Sequence, residues 1–295
     1  MSGRSVDGPL NPAAPLPLAG CRVLSLAGNV PGPVAAARLR QLGAGVTKVE
    51  PPQGDPLAPA CPEWYQSLAA GQEVLRLDLK AAADRRRLDN LLAEADLFIT
   101  ANRPAALQRL SLGWAELHSQ HPRLCHVAIV GFRGPLANAP GHDLTYQAQG
   151  GVITPPELPR TLLADLAGAE RAVSEALALL LARERSGVAG CAEVALAEAV
   201  EPFSAPLRYG LTAPGGVLGG ALPGYNLYET QAGWIAVAAL EAHFWLPLLS
   251  ELGLAPEAAD RQTLAKAFRT RTAAEWEAWA TAKGLPITAL RDATV

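Results

Sequence analysis

The sequence lacks the cysteine spacing of a disulfide framework or a zinc site. Its four cysteines form no C-x-x-C pair and have no zinc-binding spacing with the five histidines. We therefore expect free thiols in a reducing compartment and no bound metal ion.

Long apolar runs are missing as well. The longest, such as Ala176–Ala182 and Trp234–Leu240, fall far short of the roughly 20 residues that cross a bilayer. Residues 1–18 contain prolines and glycines where a signal peptide has an uninterrupted apolar core. We expect a cytoplasmic protein without a membrane partner, in which residues 1–18 form a flexible N-terminal extension.

The sequence has fewer basic residues than a nucleic-acid-binding protein usually has. The chain has 25 Lys+Arg against 28 Asp+Glu, a net charge of -3, and its longest basic run is Arg85–Arg87, which lies beside Asp84 and Asp89. Neutralising a phosphate backbone normally requires a basic face. We therefore expect no nucleic-acid partner, while a hydrophobic content of 49% excludes disorder and favours a globular enzyme.

Short strand-like runs alternate with helical patterns from Cys21 onward. This alternation is typical of a parallel sheet covered by helices, and it predicts an α/β fold with a Rossmann-like domain over residues 19–200. The predicted strands are 22–26, 46–50, 74–79, 97–100 and 124–130, and the main predicted helices are 34–42, 81–94 and 165–184.

The composition changes after residue 200. Residues 201–224 are rich in Gly and Pro, which indicates a linker or a mobile loop. A second, smaller α+β domain is predicted over 225–295, with strands at 226–229 and 234–238 and helices at 243–252, 264–269 and 272–283.

The first strand–turn–helix unit could be taken for a nicotinamide cofactor site, since Glu50 ends the next strand. However, the turn Gly28-Asn-Val-Pro-Gly32 is not G-x-G-x-x-G, and Val30 and Pro31 would crowd a pyrophosphate. The helix start at Gly32-Pro33 has two interpretations, a site for an anionic group and an ordinary turn.

Three candidate catalytic residues also have ordinary structural explanations. His142 stands at a predicted helix start, with Asp143 as a candidate N-cap. Asp165 opens the longest predicted helix, where capping alone would explain it, and Glu241 precedes another helix. The alternative is that these side chains move protons or act as a nucleophile.

Taken together, these segments resemble the family III CoA-transferases, also called the CaiB/BaiF family. This family includes carnitine-CoA transferases, formyl-CoA transferase and α-methylacyl-CoA racemase. The matching runs occur in the family's order, and they are 18–26, 31–33, 42–50, 77–80, 109–113, 121–124, 140–144, 164–168 and 234–241.

The resemblance implies roles for the candidate residues. Asp165 matches an aspartate that is the nucleophile in the transferases and a proton-transfer group in the racemases. Gly-His-Asp with a Tyr three residues later resembles the racemase branch, whose catalytic histidine matches His142 and whose supporting acid matches Glu241. The implied CoA-binding residues are Asn29, Val30, Pro31, Asn102, Arg103, Arg109 and Tyr146. No permanently bound cofactor is implied, because coenzyme A enters as part of the thioester substrate.

The sequence departs from the family pattern at several points. Pro51, Ala105 and the run Gly190–Glu193 differ from the usual residues, which weakens the assignment of the CoA site. Relatives continue beyond Asp292, so we expect a shortened C-terminus, either natural or truncated. The resemblance also implies a homodimer, and the shorter chain leaves open whether its subunits interlock.

Three functions follow in order of preference. The first is racemisation at C2 of a 2-methyl-branched acyl-CoA. The second is CoA transfer between carboxylic acids through an acyl anhydride on Asp165, and the third is a catalytically silent binding or partner subunit.

Overall fold

The computed structural model describes residues 15–291, which form two compact units divided between Phe203 and Ser204. Residues 1–14, which make up most of the predicted N-terminal extension, lie outside the described residues, as do residues 292–295. Leu18, the last residue of that predicted extension, is buried, and its backbone N–H donates to the Leu42 carbonyl at 2.9 Å. Leu18 therefore packs with the first unit.

The first unit is built on a six-stranded parallel sheet. Its strands are β1 (Arg22–Ser25), β2 (Gly45–Glu50), β3 (Glu73–Arg76), β4 (Leu97–Thr100), β5 (Cys125–Val130) and β6 (Cys191–Ala195). The strand order is β3-β2-β1-β4-β5-β6, the order of a doubly wound Rossmann sheet. This confirms the predicted fold class.

Helices cover both faces of this sheet. They are α1 (Pro31–Gln41), α2 (Leu57–Ala60), α3 (Pro62–Ala69), α4 (Ala82–Glu94), α5 (Pro104–Arg109), α6 (Trp114–Gln120), α7 (Asp143–Gln149), α8 (Leu163–Ser186) and α9 (Leu196–Ala199). Strand β4 shows how the layers form: Ile99 packs into a core with residues of α1 and α8, whereas Phe98 packs into a second core with Leu88 and Leu92 of α4. The sequence of a strand that is buried on both faces is typically a continuous apolar run.

Some boundaries differ from those predicted. Helix α1 begins at Pro31 rather than at residue 34, because Pro is well tolerated in the first helical turn. The edge strand β6 was not predicted. Its sequence, Cys-Ala-Glu-Val-Ala, contains one β-branched residue, so its strand signal is weak, and pairing with β5 decides its conformation.

The second unit contains a three-stranded antiparallel sheet and helices. The strands β7 (Tyr225–Glu229), β8 (Trp234–Ala238) and β9 (Ile287–Ala289) lie in that order. The helices are α11 (Ala242–Leu252), α12 (Arg261–Phe268) and α13 (Ala273–Lys283). Their core combines aliphatic side chains with Tyr228, Phe268 and Trp276, and the Trp276 indole N–H donates to the Phe268 carbonyl at 2.7 Å.

The segment predicted as a linker contains regular structure. It begins with α10 (Glu201–Arg208) and includes a short helical turn at Val217–Ala221. Among residues 15–291, no helix is both long and apolar enough to cross a bilayer.

Candidate active site

A cavity of about 560 Å³ opens at the carboxyl ends of the central strands of the parallel sheet. Its lining includes the turn after β1, the segment after β4, the end of β5, and the first residues of α7 and α8. The strand order reverses between β1 and β4, and ligands of open α/β sheets bind at such a point.

His142 stands at the N-terminus of α7 and lines this cavity. Its side chain is exposed, and its backbone N–H donates to Thr145 Oγ1 at 3.1 Å, while the Thr145 hydroxyl donates to the His142 carbonyl at 2.8 Å. The interpretation of Asp143 as the N-cap is wrong, because His142 occupies that position. The Thr145 hydroxyl contacts the His142 backbone at this helix start, and His142 is one of the residues that line the cavity.

Asp143 instead caps a different helix. Its Oδ1 accepts the backbone N–H groups of Ala164 at 2.8 Å and Asp165 at 3.1 Å, both in the first turn of α8. Its Oδ2 accepts the Gln147 side-chain amide at 2.6 Å, and only 6% of Asp143 is exposed. A buried carboxylate therefore supplies the acceptor that the N-cap residue of α8, Leu162, lacks.

Asp165 is the third residue of α8, so the interpretation of Asp165 as an N-cap is also wrong. Its carboxyl group is half-buried and lines the cavity. Within residues 15–291 no hydrogen bond or ion pair involves this carboxyl group. Burial, and secondarily the negative charge of Asp143, raise the pKa of Asp165 to about 7. Near neutral pH this group can both accept and donate a proton.

Tyr146 lies on the next turn of α7 with its ring 3% exposed and packed edge-on against Phe132. Gly131 and Gly141 flank it closely, since a Cβ atom on either glycine would collide with the tyrosine. Burial raises the pKa of Tyr146, and the charge of Asp165 adds to that effect. The tyrosine is thus held by packing beside the candidate acid.

The turn after β1 is held by a buried ion cluster that sequence reasoning missed. The Lys48 ammonium lies 2.8 Å from Glu50 Oε1 and 2.6 Å from Asp55 Oδ2. Asp55 Oδ1 accepts the backbone N–H of Asn29 at 3.1 Å, and Asn29 has a left-handed φ of 63°. Glu50 also accepts the Tyr65 hydroxyl at 2.7 Å, so its carboxylate serves this cluster.

Gly32 also has a packing role at this turn. A Cβ atom at this position would collide with the Cβ of Ala27, so a bare backbone is required where α1 approaches the end of β1. Its presence is therefore explained without a bound anion.

Most of the predicted site residues come together in this cavity, and they are His142, Asp165, Asn29, Val30, Pro31, Asn102, Arg103 and Tyr146. The cavity lining does not include Arg109, which ends α5. Glu241 lies in the second unit, exposed at the N-cap position of α11, and its side chain makes no capping hydrogen bond there. Among residues 15–291 there is no group of three or more His, Cys, Asp or Glu that could hold a metal ion.

Comparison with known proteins identifies the family. The sequence pattern of CoA-transferase family III matches residues 18–294 of this chain. The chain belongs to that family. The resemblance inferred from the ordered motifs is confirmed.

The similar proteins with named activities include both a transferase and a racemase. The chain is 33% identical over 204 residues to the "Probable fatty acyl-CoA transferase Rv3272" of Mycobacterium tuberculosis, covering 63% of this chain and 51% of that protein. It is 31% identical over 290 residues to "Alpha-methylacyl-CoA racemase" of Mus musculus, covering 88% of this chain and 74% of the racemase. The match thus spans about half the length of the mycobacterial relative.

A solved structure has the same architecture. The crystal structure of the mycobacterial protein Rv3272 superposes with a TM-score of 0.77 at 28% identity, covering 94% of this chain and 84% of that one. Family III members include racemases and CoA-transferases, so the family by itself leaves the choice between these two reactions open.

Proposed function

We propose that this chain is an acyl-CoA racemase or epimerase that inverts C2 of a 2-methyl-branched acyl-CoA thioester. One observation carries the proposal: two proton-transfer groups on different helices, His142 and Asp165, line one cavity, and Asp165 has a pKa near 7. The similarity to a mammalian racemase over 88% of the chain supports it.

The reaction needs a base on one face of C2 and an acid on the other. In one direction the neutral His142 imidazole takes the C2 proton, and the electron pair of the C–H bond moves onto the thioester oxygen as an enolate. Asp165, protonated at the start, then delivers its proton to the opposite face of C2. The reverse direction exchanges the two roles, and no metal or redox cofactor takes part.

The enolate oxygen needs hydrogen-bond donors where negative charge develops. The backbone N–H groups of Asp143 and Leu144 are suited to this, because no hydrogen bond among the described residues uses them, whereas the Thr145 N–H donates to the His142 carbonyl at 2.9 Å. Helix α7 begins directly after His142, so the donors lie next to the proposed base.

We propose that the CoA part of the substrate lies along the turn Asn29–Pro31 and the segment Asn102–Arg103, with Tyr146 beside the pantetheine. Arg103 offers a forked guanidinium for a phosphate. Arg109 and Glu241 remain predictions from the resemblance, as a phosphate-binding residue and a supporting acid.

The test is NMR-detected exchange of the C2 proton of a 2-methylacyl-CoA in deuterated water. We expect exchange with the wild-type protein and a decrease of at least about 100-fold in His142→Ala and in Asp165→Ala, the scale of losing a general acid or base. Matched controls are His121→Ala and Asp89→Ala, two substitutions of residues outside the cavity. Absence of exchange across several acyl chain lengths would exclude the racemase.

A second candidate is CoA transfer, which is favoured by the free Asp165 carboxylate. Its oxygen would attack the thioester carbonyl, the C–S bond would break, and CoA would leave as the thiolate to give an acyl anhydride on Asp165. This reaction would survive His142→Ala but not Asp165→Ala. Incubation with an acyl-CoA and a second carboxylic acid, followed by analysis of the CoA products, separates the two reactions.

A catalytically silent partner subunit is the remaining alternative. It would show neither exchange nor transfer and would not bind CoA thioesters, while it would associate with another protein.

We also propose that the chain forms a homodimer in the cytoplasm, as the family resemblance implies. Light scattering coupled to gel filtration measures the oligomeric state directly. Interlocking of the subunits predicts dimers that dissociate only when the chain unfolds.

A further inference from the structure

The N-terminus of α8 has no capping side chain of its own. Leu162 occupies the N-cap position, and it cannot accept the free N–H groups of the first helical turn. The acceptor comes from α7, where Asp143 Oδ1 receives the N–H groups of Ala164 and Asp165. The position of the first turn of α8 therefore depends on a residue about twenty positions earlier in the chain.

Both oxygens of the Asp143 carboxylate are engaged. Oδ2 accepts the Gln147 amide at 2.6 Å, and the same amide donates to the Thr161 carbonyl at 2.9 Å. Asp143 is buried, and its three hydrogen bonds with Gln147, Ala164 and Asp165 fix the position of its carboxylate. Although Asp143 borders the cavity, each oxygen of its carboxylate already accepts a hydrogen bond from the protein.

We propose that Asp143 is a positioning residue for Asp165: its carboxylate fixes the first turn of α8 and holds a negative charge beside the Asp165 carboxyl group. This inference rests on the proposed function, because it concerns the same acid. Asp143 would not touch the reacting atoms. It would act through Asp165.

The charge matters as well as the hydrogen bonds. A carboxylate next to a second carboxyl group in a partly dehydrated site disfavours ionisation of the second group. Burial is the larger cause of the raised pKa of Asp165, and the negative charge of Asp143 adds to it. The other titratable or charged groups lining the cavity are His142, Tyr146 and Arg103. A group that both gives and takes a proton works best when its pKa lies near the working pH.

Asp143→Asn separates the two contributions. The asparagine retains a side-chain oxygen for the Ala164 and Asp165 N–H groups. It removes the charge and also the hydrogen bond from the Gln147 amide, because its amide nitrogen is a donor. We expect Asp143→Asn to fold with an unchanged circular dichroism spectrum, and the carboxyl titration of Asp165 to move to lower pH than its wild-type midpoint near 7. The measurement is ¹³C NMR of the aspartate carboxyl carbons in the full chain without substrate, with the Asp165 signal identified by its loss in Asp165→Asn.

Three further variants complete the test. Gln147→Ala removes one contact of Asp143 but leaves its charge, so the Asp165 midpoint should stay near 7. Asp143→Ser is a second uncharged variant with an acceptor oxygen, and it should also lower the titration midpoint of Asp165. It replaces Asp143→Asn in the test if the asparagine variant does not fold. Asp143→Ala removes both acceptor and charge, and we expect it to slow C2 exchange by about 100-fold, as a small misplacement of a catalytic group does.

The outcomes distinguish this inference from the proposed function. The positioning role would be overturned if Asp165 titrated with the wild-type midpoint in Asp143→Asn or in Asp143→Ser. This holds even if the wild-type protein exchanges C2 protons. A lowered midpoint in a protein without exchange or transfer activity would support the Asp143–Asp165 coupling while the proposed function fails. Where activity is present, the limb of the pH profile that Asp165 sets should move to lower pH in Asp143→Asn. This is the alkaline limb in the direction where Asp165 is the acid, and the acidic limb in the direction where it is the base.

Discussion

The carboxylate of Asp143 accepts the backbone N–H of Asp165 at 3.1 Å, and this bond between residues 22 positions apart joins the first turns of two helices. One acid is thereby committed to structure, with three hydrogen bonds, while the other faces the cavity without a partner among the described residues. Two neighbouring carboxyl groups thus acquire different roles through their surroundings.

This arrangement predicts that Asp165 lowers the stability of the folded protein at neutral and alkaline pH. A carboxyl group whose pKa is raised from 3.8 to about 7 on folding binds more protons in the folded state, so stability falls as the pH rises between these values. Asp165→Asn should therefore raise the free energy of unfolding at pH 8 by about 1 to 2 kcal/mol, after discounting for solvent screening and for a favourable helix-dipole contribution of about 0.5 kcal/mol.

Urea unfolding at pH 8 and at pH 4 tests this expectation. The gain should be largely lost at pH 4, where the Asp165 carboxyl group of the folded protein is protonated and therefore neutral, like the asparagine. Asp89→Asn, which alters an acid paired with Arg85 on α4, is the control without a gain. A gain of equal size at both pH values would show that ionisation of Asp165 is not its cause.

Gly131→Ala should destabilise the protein through Tyr146. The added methyl group would collide with the tyrosine hydroxyl, and overpacking of this kind typically costs 1 to 3 kcal/mol, that is, roughly 2 kcal/mol. Tyr146→Phe removes the colliding oxygen, so the double variant should recover most of this loss. The free energies of unfolding of the four proteins form a double-mutant cycle, and additive effects would argue against the collision.

Lys48→Met should be strongly destabilising. It leaves the carboxylates of Glu50 and Asp55 buried without their shared cation, and breaking a buried ion pair typically costs about 3 to 5 kcal/mol. Lys266→Met, an exposed position on α12, should change stability by less than about 0.5 kcal/mol. Thermal unfolding of the two variants gives the comparison, and similar effects would contradict a structural role of the cluster.

Arg103→Ala should weaken the binding of coenzyme A. Arg103 is a basic residue in the cavity lining, and a hydrogen bond to a charged group contributes about 1.5 to 3 kcal/mol, or roughly a 10- to 100-fold change in Kd. Arg87→Ala, an exposed position on α4, should leave the Kd within about twofold. Isothermal titration calorimetry at two salt concentrations measures both. An unchanged Kd in Arg103→Ala would remove this residue from the CoA site.

Some elements could be predicted because their signals are local. The run Leu97–Thr100 is apolar at three consecutive positions, as expected for a strand covered on both faces, and it is β4. Helix α8 has an apolar stripe long enough to place it within two residues at each end. Strand β6 has no such pattern and forms because β5 offers a free edge.

Some features of the candidate site could likewise be predicted from the sequence, and others could not. The ordered motifs of the family resemblance predicted His142 and Asp165 as site residues, because residue types and their spacing can be read directly from a sequence. The capping of α8 by Asp143 has no comparable signal, because it joins segments that are distant in the chain. The contact between Lys48 and Asp55 was missed for a related reason: each residue reads as an ordinary surface charge until the sheet and the following loop bury it.

The sequence by itself determined the alternation of strands and helices, the family, and the residue types available for proton transfer. Periodicity and motif order are properties of the chain alone. Only the tertiary structure decided which carboxyl group is used for structure and which remains free, because burial and charge–charge proximity exist only once α7 and α8 pack together. That packing raises the pKa of Asp165 toward neutrality, and the proposed chemistry depends on this environment.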